Sequence, residues 1–300
     1  QHLSMLDMIF LARWFGFWAH RLNVLVFMVR LVFYWPGKNT LIMTRTPEVA
    51  WFFKLRGYRV CCEVHDWPES WEQTFLNLLR RTDLLVCNSP GIEAEFHDRG
   101  LSQTLVAHNG VDVEDFDIEV SKEAARESLG LPLDKTVVMY IGSLDGWKGV
   151  DTLFEASTVF PDEYQVVVIG GSPQKIALYY KQYPHVMFLG PRPYAELPVN
   201  QKAADVLVVP NSPDSIESQK YTSPIKLFAH LLSGVPVLVS KLPSVESIVT
   251  EDEVFFFEAG SAEALAKKIV CISQDQDSAF NKAQSAYMYG KNYSWNNRAE

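Results

Sequence analysis

At 300 residues, 48% of them hydrophobic and 21% charged, the chain has enough apolar surface to bury two ordinary cores, which excludes a disordered or low-complexity protein. Its net charge of −9 is uneven: residues 1–62 hold eight Lys/Arg against two Asp/Glu, and the remainder hold nineteen against thirty-four. An acidic body with a basic, aromatic start argues against nucleic acid as the partner and permits a membrane surface.

The opening run, MLDMIFLARWFGFWAHRLNVLVFMVRLVFYW, is interrupted at Asp7, Arg13, His20, Arg21, Asn23 and Arg30, so it is disfavoured as a bilayer-spanning helix, and it lacks a signal-peptide cleavage pattern. It reads either as one or two helices packed on a sheet or as an interfacial helix within residues 1–34 whose aromatics enter a headgroup layer. From residue 40 short apolar strands alternate with amphipathic helices, the pattern of parallel α/β layers. Strands are expected at TLIMT, YRVCCEV, DLLVCNS and SQTLVAHNG, with helices at PEVAWFFKLRG, ESWEQTFLNLLRR and GIEAEFHDRG between them. The four cysteines, Cys61, Cys62, Cys87 and Cys271, have neither C-x-x-C nor metal-like spacing and fit a reducing compartment.

The rhythm then pauses in VDVEDFDIEVSKEAARESLGLPLDK, an acidic stretch with one short helix that reads as a linker over residues 112–135. Alternation restarts with TVVMYIGS, YQVVVIGG, HVMFLG, ADVLVVP, VPVLVS and EVFFFEAG as strands and ends in two helices. The expectation is two doubly wound units, residues 1–132 and 133–300, with ligands at the carboxyl ends of the strands and a cleft between the units.

Two stretches carry chemistry. In YIGSLDGWKGVDTLFEA a strand ends at Gly142 and a helix starts near Gly149, so Lys148 stands beside a helix N-terminus, where the macrodipole disfavours a cation unless an anion is bound. In YTSPIKLFAHLLSGVPVLVS, Ser223 is the expected N-cap, Pro224 the first helical residue and Gly234 the left-handed stop. Two such N-termini in one domain make a cradle for a diphosphate.

These two stretches, with EVHDWPE, DLLVCNSPGI and HNGVDVEDF in order upstream, resemble the retaining GT-B glycosyltransferases of family 4, the glycosyl transferase group 1 type. The resemblance covers residues 40–298, including the terminal YSWNNRA. It implies a GT-B fold of two Rossmann-like domains and transfer of a sugar from a nucleotide-diphosphate-sugar donor to a glycan, lipid-linked or protein acceptor with retention of configuration. Lys148 would neutralise the leaving diphosphate and His65 would face the donor sugar and acceptor, which makes these the catalytic pair. Gly142, Ser143 and Trp147 would line the donor, Arg192, Pro193 and Tyr194 the base. Tyr221, Thr222, Ser223, Pro224, Ile225 and Lys226 would hold the distal phosphate and sugar, with Ala229 at the ribose. No metal and no cofactor is implied, the nucleotide-sugar being a substrate, and the expected location is cytoplasmic, peripheral at the membrane face.

The chain departs from this family at three places. Two glutamates eight positions apart usually touch the donor sugar and the ribose; here those positions are Tyr221 and Ala229. Ser143 replaces a common arginine. The Gly-rich first strand-turn is missing and the last helix stops short at Glu300, so the chain is expected to be a fragment. A non-catalytic protein of the same fold is the alternative that Ala229 and Ser143 favour. A metal-dependent transferase would need a D-x-D after a nucleotide-domain strand, and Asp115–Asp117 and Asp275–Asp277 are not so placed.

Overall fold

The computed structural model describes residues 26, 27 and 29–299; most of the basic, aromatic start, and with it the interfacial-helix expectation, lies outside them. The chain divides into two compact units, Gln1–Glu63 with Pro68–Val86, and Val64–Trp67 with Cys87–Glu300.

In the first unit β1 (Leu41–Thr44) pairs in parallel with β2 (Arg59–Val64), Leu41 opposite Arg59. The helix Pro47–Leu55 joins them, started by Pro47 and Glu48 and burying Val49, Ala50 and Phe53. Asp83 fastens its end: one carboxylate oxygen accepts from the Val60 N–H at 2.7 Å, the other from Lys54 at 2.6 Å. The Arg56 guanidinium donates to the carbonyls of Leu31, Val32 and Tyr34 and lies 3.6 Å from the Trp35 ring. The strand β3 is Leu84–Cys87.

In the second unit β4 (Thr104–Val106) follows the helix Pro90–Asp98, and a parallel sheet dominates the rest. Its strands are β5 (Thr136–Ile141), β6 (Tyr164–Ile169), β7 (Met187–Gly190), β8 (Val206–Val209), β9 (Val237–Lys241) and β10 (Phe255–Glu258). They stand in the order β10-β9-β8-β5-β6-β7. Burial on both faces explains the continuous apolar strands: Val138 and Tyr140 pack with Leu153, Phe154 and Ile269, while Val137 and Met139 pack on the other face with Leu129, Ala203 and Leu207. The strand order reverses between β5 and β8, so their carboxyl ends open onto the crevice where such sheets take ligands.

The acidic stretch 112–135 is folded onto this unit and is not a free connector. Phe116 is buried, and the helix Lys122–Leu129, capped by Ser121 and closed by Gly130 at φ 66°, buries Ala125 and Leu129. Its charge count hid Arg126, only 6% exposed along its side chain. The Arg126 guanidinium donates to the carbonyls of Ala203, Leu133 and Lys135 and to Asp205 at 2.5 Å. Asp205 also accepts from the Val137 N–H and from exposed Lys122. Asp275 of the second Asp-x-Asp run caps the helix Gln276–Gly290, accepting from the Ser278 N–H at 3.0 Å, and Asp115 of the first lies in the 3-10 turn Val113–Phe116.

Arg126→Ala removes one member of a buried pair and strands three carbonyls, so it is expected to lower the unfolding free energy by about 3 kcal/mol or more. Lys122→Ala, at an exposed bridge, is expected to change it by about 1 kcal/mol or less. Chemical denaturation of the two variants measures the contrast.

Candidate active site

The site is built at the carboxyl ends of β5 and β8. Past Ile141 the chain turns at Gly142, where a Cβ would stand 3.0 Å from the Lys226 ammonium nitrogen and 3.0 Å from the Tyr140 hydroxyl. The following loop is held from outside by Lys175, which donates to the Leu144 carbonyl at 3.0 Å and to Asp145 at 2.5 Å; the Lys175 contact holds the Asp145 carboxyl below the usual range. The 3-10 turn Gly146–Lys148 then leads into the helix Val150–Ser157 through Gly149, at φ 66° and with no side-chain cap. A Cβ on Gly149 would lie 1.9 Å from the Pro210 carbonyl oxygen, and the Ser212 N–H donates to the Trp147 carbonyl at 3.1 Å. Only glycine lets the two loops close on each other in this way.

Two lysines meet there. Lys148 has its ammonium 3.3 Å from the Trp147 ring centre, and burial pushes its pKa down to about 8 against the opposite pull of Asp145 and Glu217. Lys226 donates to the Tyr140 hydroxyl at 3.0 Å, and that hydroxyl donates to the Ser143 carbonyl at 2.6 Å. Burial, then the charge of Lys148, pushes Lys226 well below its ordinary range. Among the described residues neither lysine forms a salt bridge with a carboxylate. Two desolvated cations without a salt-bridge partner there, beside an uncapped helix end, are an anion site in electrostatic terms.

The second stretch behaves differently from the sequence expectation. The helix is Ile225–Leu231 with Pro224 at its N-cap and no side-chain cap. Ser223 does not cap it: its Oγ accepts from the Asn109 N–H at 3.1 Å, and its carbonyl accepts from the Asn109 amide at 2.7 Å. A buried asparagine with two donors outcompetes the cap. Thr222 is buried, its N–H closing a π-helical turn, Glu217–Tyr221, on the Glu217 carbonyl at 2.9 Å, while Ile225 is exposed. The Tyr221 hydroxyl donates to Glu95 at 2.9 Å, and Glu95 is paired with Arg99. Ala229 has 0% exposure in the core with Leu227, Phe228 and Val239, so the residue expected at the ribose is a core residue.

Of the remaining expected residues, Arg192, Pro193 and Tyr194 lie in an exposed loop after β7, with Arg192 paired to Glu196 at 3.2 Å and a 3-10 turn over Tyr194–Glu196. His65 is half-buried, its carbonyl accepting from the Asn88 amide at 3.3 Å. The structure therefore gathers Gly142, Ser143, Trp147, Lys148 and Lys226 in one place. It sets the 192–194 loop at another strand end.

The sequence profile of glycosyl transferases group 1 matches residues 121–292, more than half of the chain. The chain belongs to this family. D-inositol 3-phosphate glycosyltransferase of Corynebacterium urealyticum is 26% identical over 257 residues, 79% of this chain and 59% of that protein. The enzyme of the same name from Corynebacterium glutamicum is 26% identical over 66% of this chain and 50% of its own length. The chain thus spans about half the length of the curated relatives it matches. Among solved structures, sucrose-phosphate synthase of Thermosynechococcus elongatus superposes with a TM-score of 0.75 at 24% identity, covering 94% of this chain and 76% of its own. HepE of Anabaena, solved in complex with UDP, gives 0.75 at 21% identity over 91% and 78%. These likenesses establish the GT-B fold.

For this glycosyl transferase group 1 chain, sequence reasoning missed Tyr140, Asn109 and Glu217. Tyr140 reads as one more apolar strand position, and Glu217 sits in a polar run with no periodicity. Asn109 was inside a quoted motif, but nothing local pointed its amide at Ser223.

An anion favours charged Lys148, and the free protein's group titrates near pH 8. Pyrophosphate affinity is therefore expected to fall as pH rises beyond 8, by up to about tenfold per unit, because binding must then take up a proton. Titration calorimetry between about pH 7 and 9.5 checks it, with Lys148→Met expected to bind weakly and to flatten the profile.

Proposed function

We propose that this chain is the catalytic part of a glycosyltransferase that takes a nucleotide-diphosphate-sugar as donor and transfers the sugar to an acceptor hydroxyl with retention of configuration. The observation that carries this reading is the pair of desolvated lysines, Lys148 and Lys226, which form no salt bridge among the described residues, at the reversal point of the sheet. Family membership supports it, as does the UDP bound by HepE.

In this reading the bond between the anomeric carbon and the diphosphate breaks with its electron pair on the phosphate oxygen. Lys148, Lys226 and the N–H groups at the start of Val150–Ser157 stabilise that charge without rearranging, since burial and the braced loop have already fixed them. His65 faces the sugar and the acceptor hydroxyl, and Arg192 to Tyr194 border the base. The charge is met by these protein cations and N–H groups, with no metal or cofactor assigned to the step. The acceptor is a glycan, lipid-linked molecule or protein.

Lys148→Ala is expected to reduce sugar transfer on the order of 100-fold, while chelation leaves the wild-type rate nearly unchanged. A radiolabel transfer assay over several nucleotide-sugars, with the product anomer read by NMR, tests both; wild-type turnover by the variant would sink the assignment.

We also propose a cytoplasmic location with peripheral contact to an anionic leaflet through residues 1–34. No helix of the described residues is long and apolar enough to cross a membrane. At the described end of this region Phe33 is 80% exposed, and Trp35 just beyond it is 68% exposed. Co-sedimentation is expected with anionic liposomes and not with neutral ones, and equal binding to the two contradicts the idea.

A further inference from the structure

We propose that Glu217 is the hydroxyl-accepting carboxylate of this site, holding the donor sugar in place of the glutamate absent at position 221. The inference rests on the nucleotide-sugar reading and deepens it. Both expected carboxylate positions are otherwise employed: the Tyr221 phenol is bonded to Glu95, and the Ala229 methyl is in the core. Two acidic groups act on Lys148, namely Asp145 and Glu217. Asp145 is bound to Lys175 at 2.5 Å. Glu217 is half-buried, and among the described residues its carboxylate has no hydrogen-bond or ion-pair partner.

Three further observations aim it at a ligand. Glu217 opens the π-helical turn Glu217–Tyr221, and π turns widen a helix by one residue and recur at functional sites. The loops that carry this turn and the Lys148 turn are clasped together by the Ser212–Trp147 bond and the Gly149 contact with Pro210. Burial and the neighbouring Asp66 raise the carboxyl above its usual range, against the pull of Lys148, so its charge is poorly solvated by the protein around it. A phosphate is repelled by a carboxylate, which assigns Glu217 to a group beside the diphosphate. In a nucleotide-sugar two hydroxyl-bearing rings flank the diphosphate, the ribose and the sugar, and a carboxylate accepts from either on both oxygens. Glu217 is assigned to the sugar, and equal changes for diphosphate and conjugate would place it at the ribose.

The test compares each diphosphate with its sugar conjugate: UDP with UDP-glucose, GDP with GDP-mannose and ADP with ADP-glucose. The pair that binds the wild-type chain most tightly is titrated against Glu217→Gln and Glu217→Ala. Both variants are expected to hold the diphosphate within about threefold of wild type and to lose about tenfold or more for the conjugate, a difference of about 1.4 kcal/mol. Equal changes for diphosphate and conjugate, or none for the conjugate, overturn the role of Glu217 and leave the nucleotide-sugar reading intact. If the wild type binds none of the three pairs, the nucleotide-sugar reading fails and this inference fails with it.

Discussion

Two ammonium groups, on Lys148 and Lys226, are held at the end of β5 where burial works against both charges and Lys148 works against Lys226. A buried cation ordinarily acquires a carboxylate or gives up its proton. Here Asp145, the carboxylate that acts most strongly on Lys148, is bound to Lys175. What replaces it is softer: the Trp147 ring beneath Lys148 and the Tyr140 hydroxyl and ring beside Lys226, the latter centred 4.4 Å away. Such partners hold a lysine in position without neutralising it. The field stays available for an anion that arrives from outside.

The rest of the second unit keeps that arrangement rigid. Gly142 leaves room for the Lys226 ammonium, and Gly149 lets the loop after β5 touch the one after β8. On the far side, Asn109 locks Ser223, Tyr221 reaches Glu95, and Gly91 admits the Lys220 carbonyl, whose oxygen would sit 2.1 Å from any Cβ there. Each of these is a contact between residues distant in sequence. A site assembled from fixed loops meets developing charge without reorganising, which is where preorganised electrostatics gain over water.

The same distinction explains what the sequence revealed. Local physics was legible: each strand of the second sheet was expected from its apolar run. Lys148 beside a helix end followed from one glycine and one periodicity change. What failed was local inference overridden by a distant partner. Ser223 has the chemistry of a cap, but a buried amide 114 residues away claims it. The stretch 112–135 has the composition of a linker, yet Phe116, Leu129 and Arg126 anchor it, the last through bonds to Ala203 and Asp205 that composition does not show.

The replacement of carboxylates at 221 and 229 then has a physical logic beyond loss. A glutamate at 221 beside Glu95 would bring two carboxylates together where the phenol now donates a hydrogen bond, and Glu95 already has Arg99. At 229 a carboxylate would sit on the same short helix as Lys226 and His230, in a core where His230 is held neutral, its pKa pushed down to about 3 by burial and by Lys226. An alanine avoids that buried charge and leaves Lys226 without a counter-ion on its own helix. Glu217, at the start of the π-helical turn that ends at Tyr221, is the carboxylate proposed in its stead. In the proposed site this separates two tasks that a glutamate on the helix would combine: the helix carries the positive charge of Lys226 toward the diphosphate, and the turn before it presents the acceptor for hydroxyls.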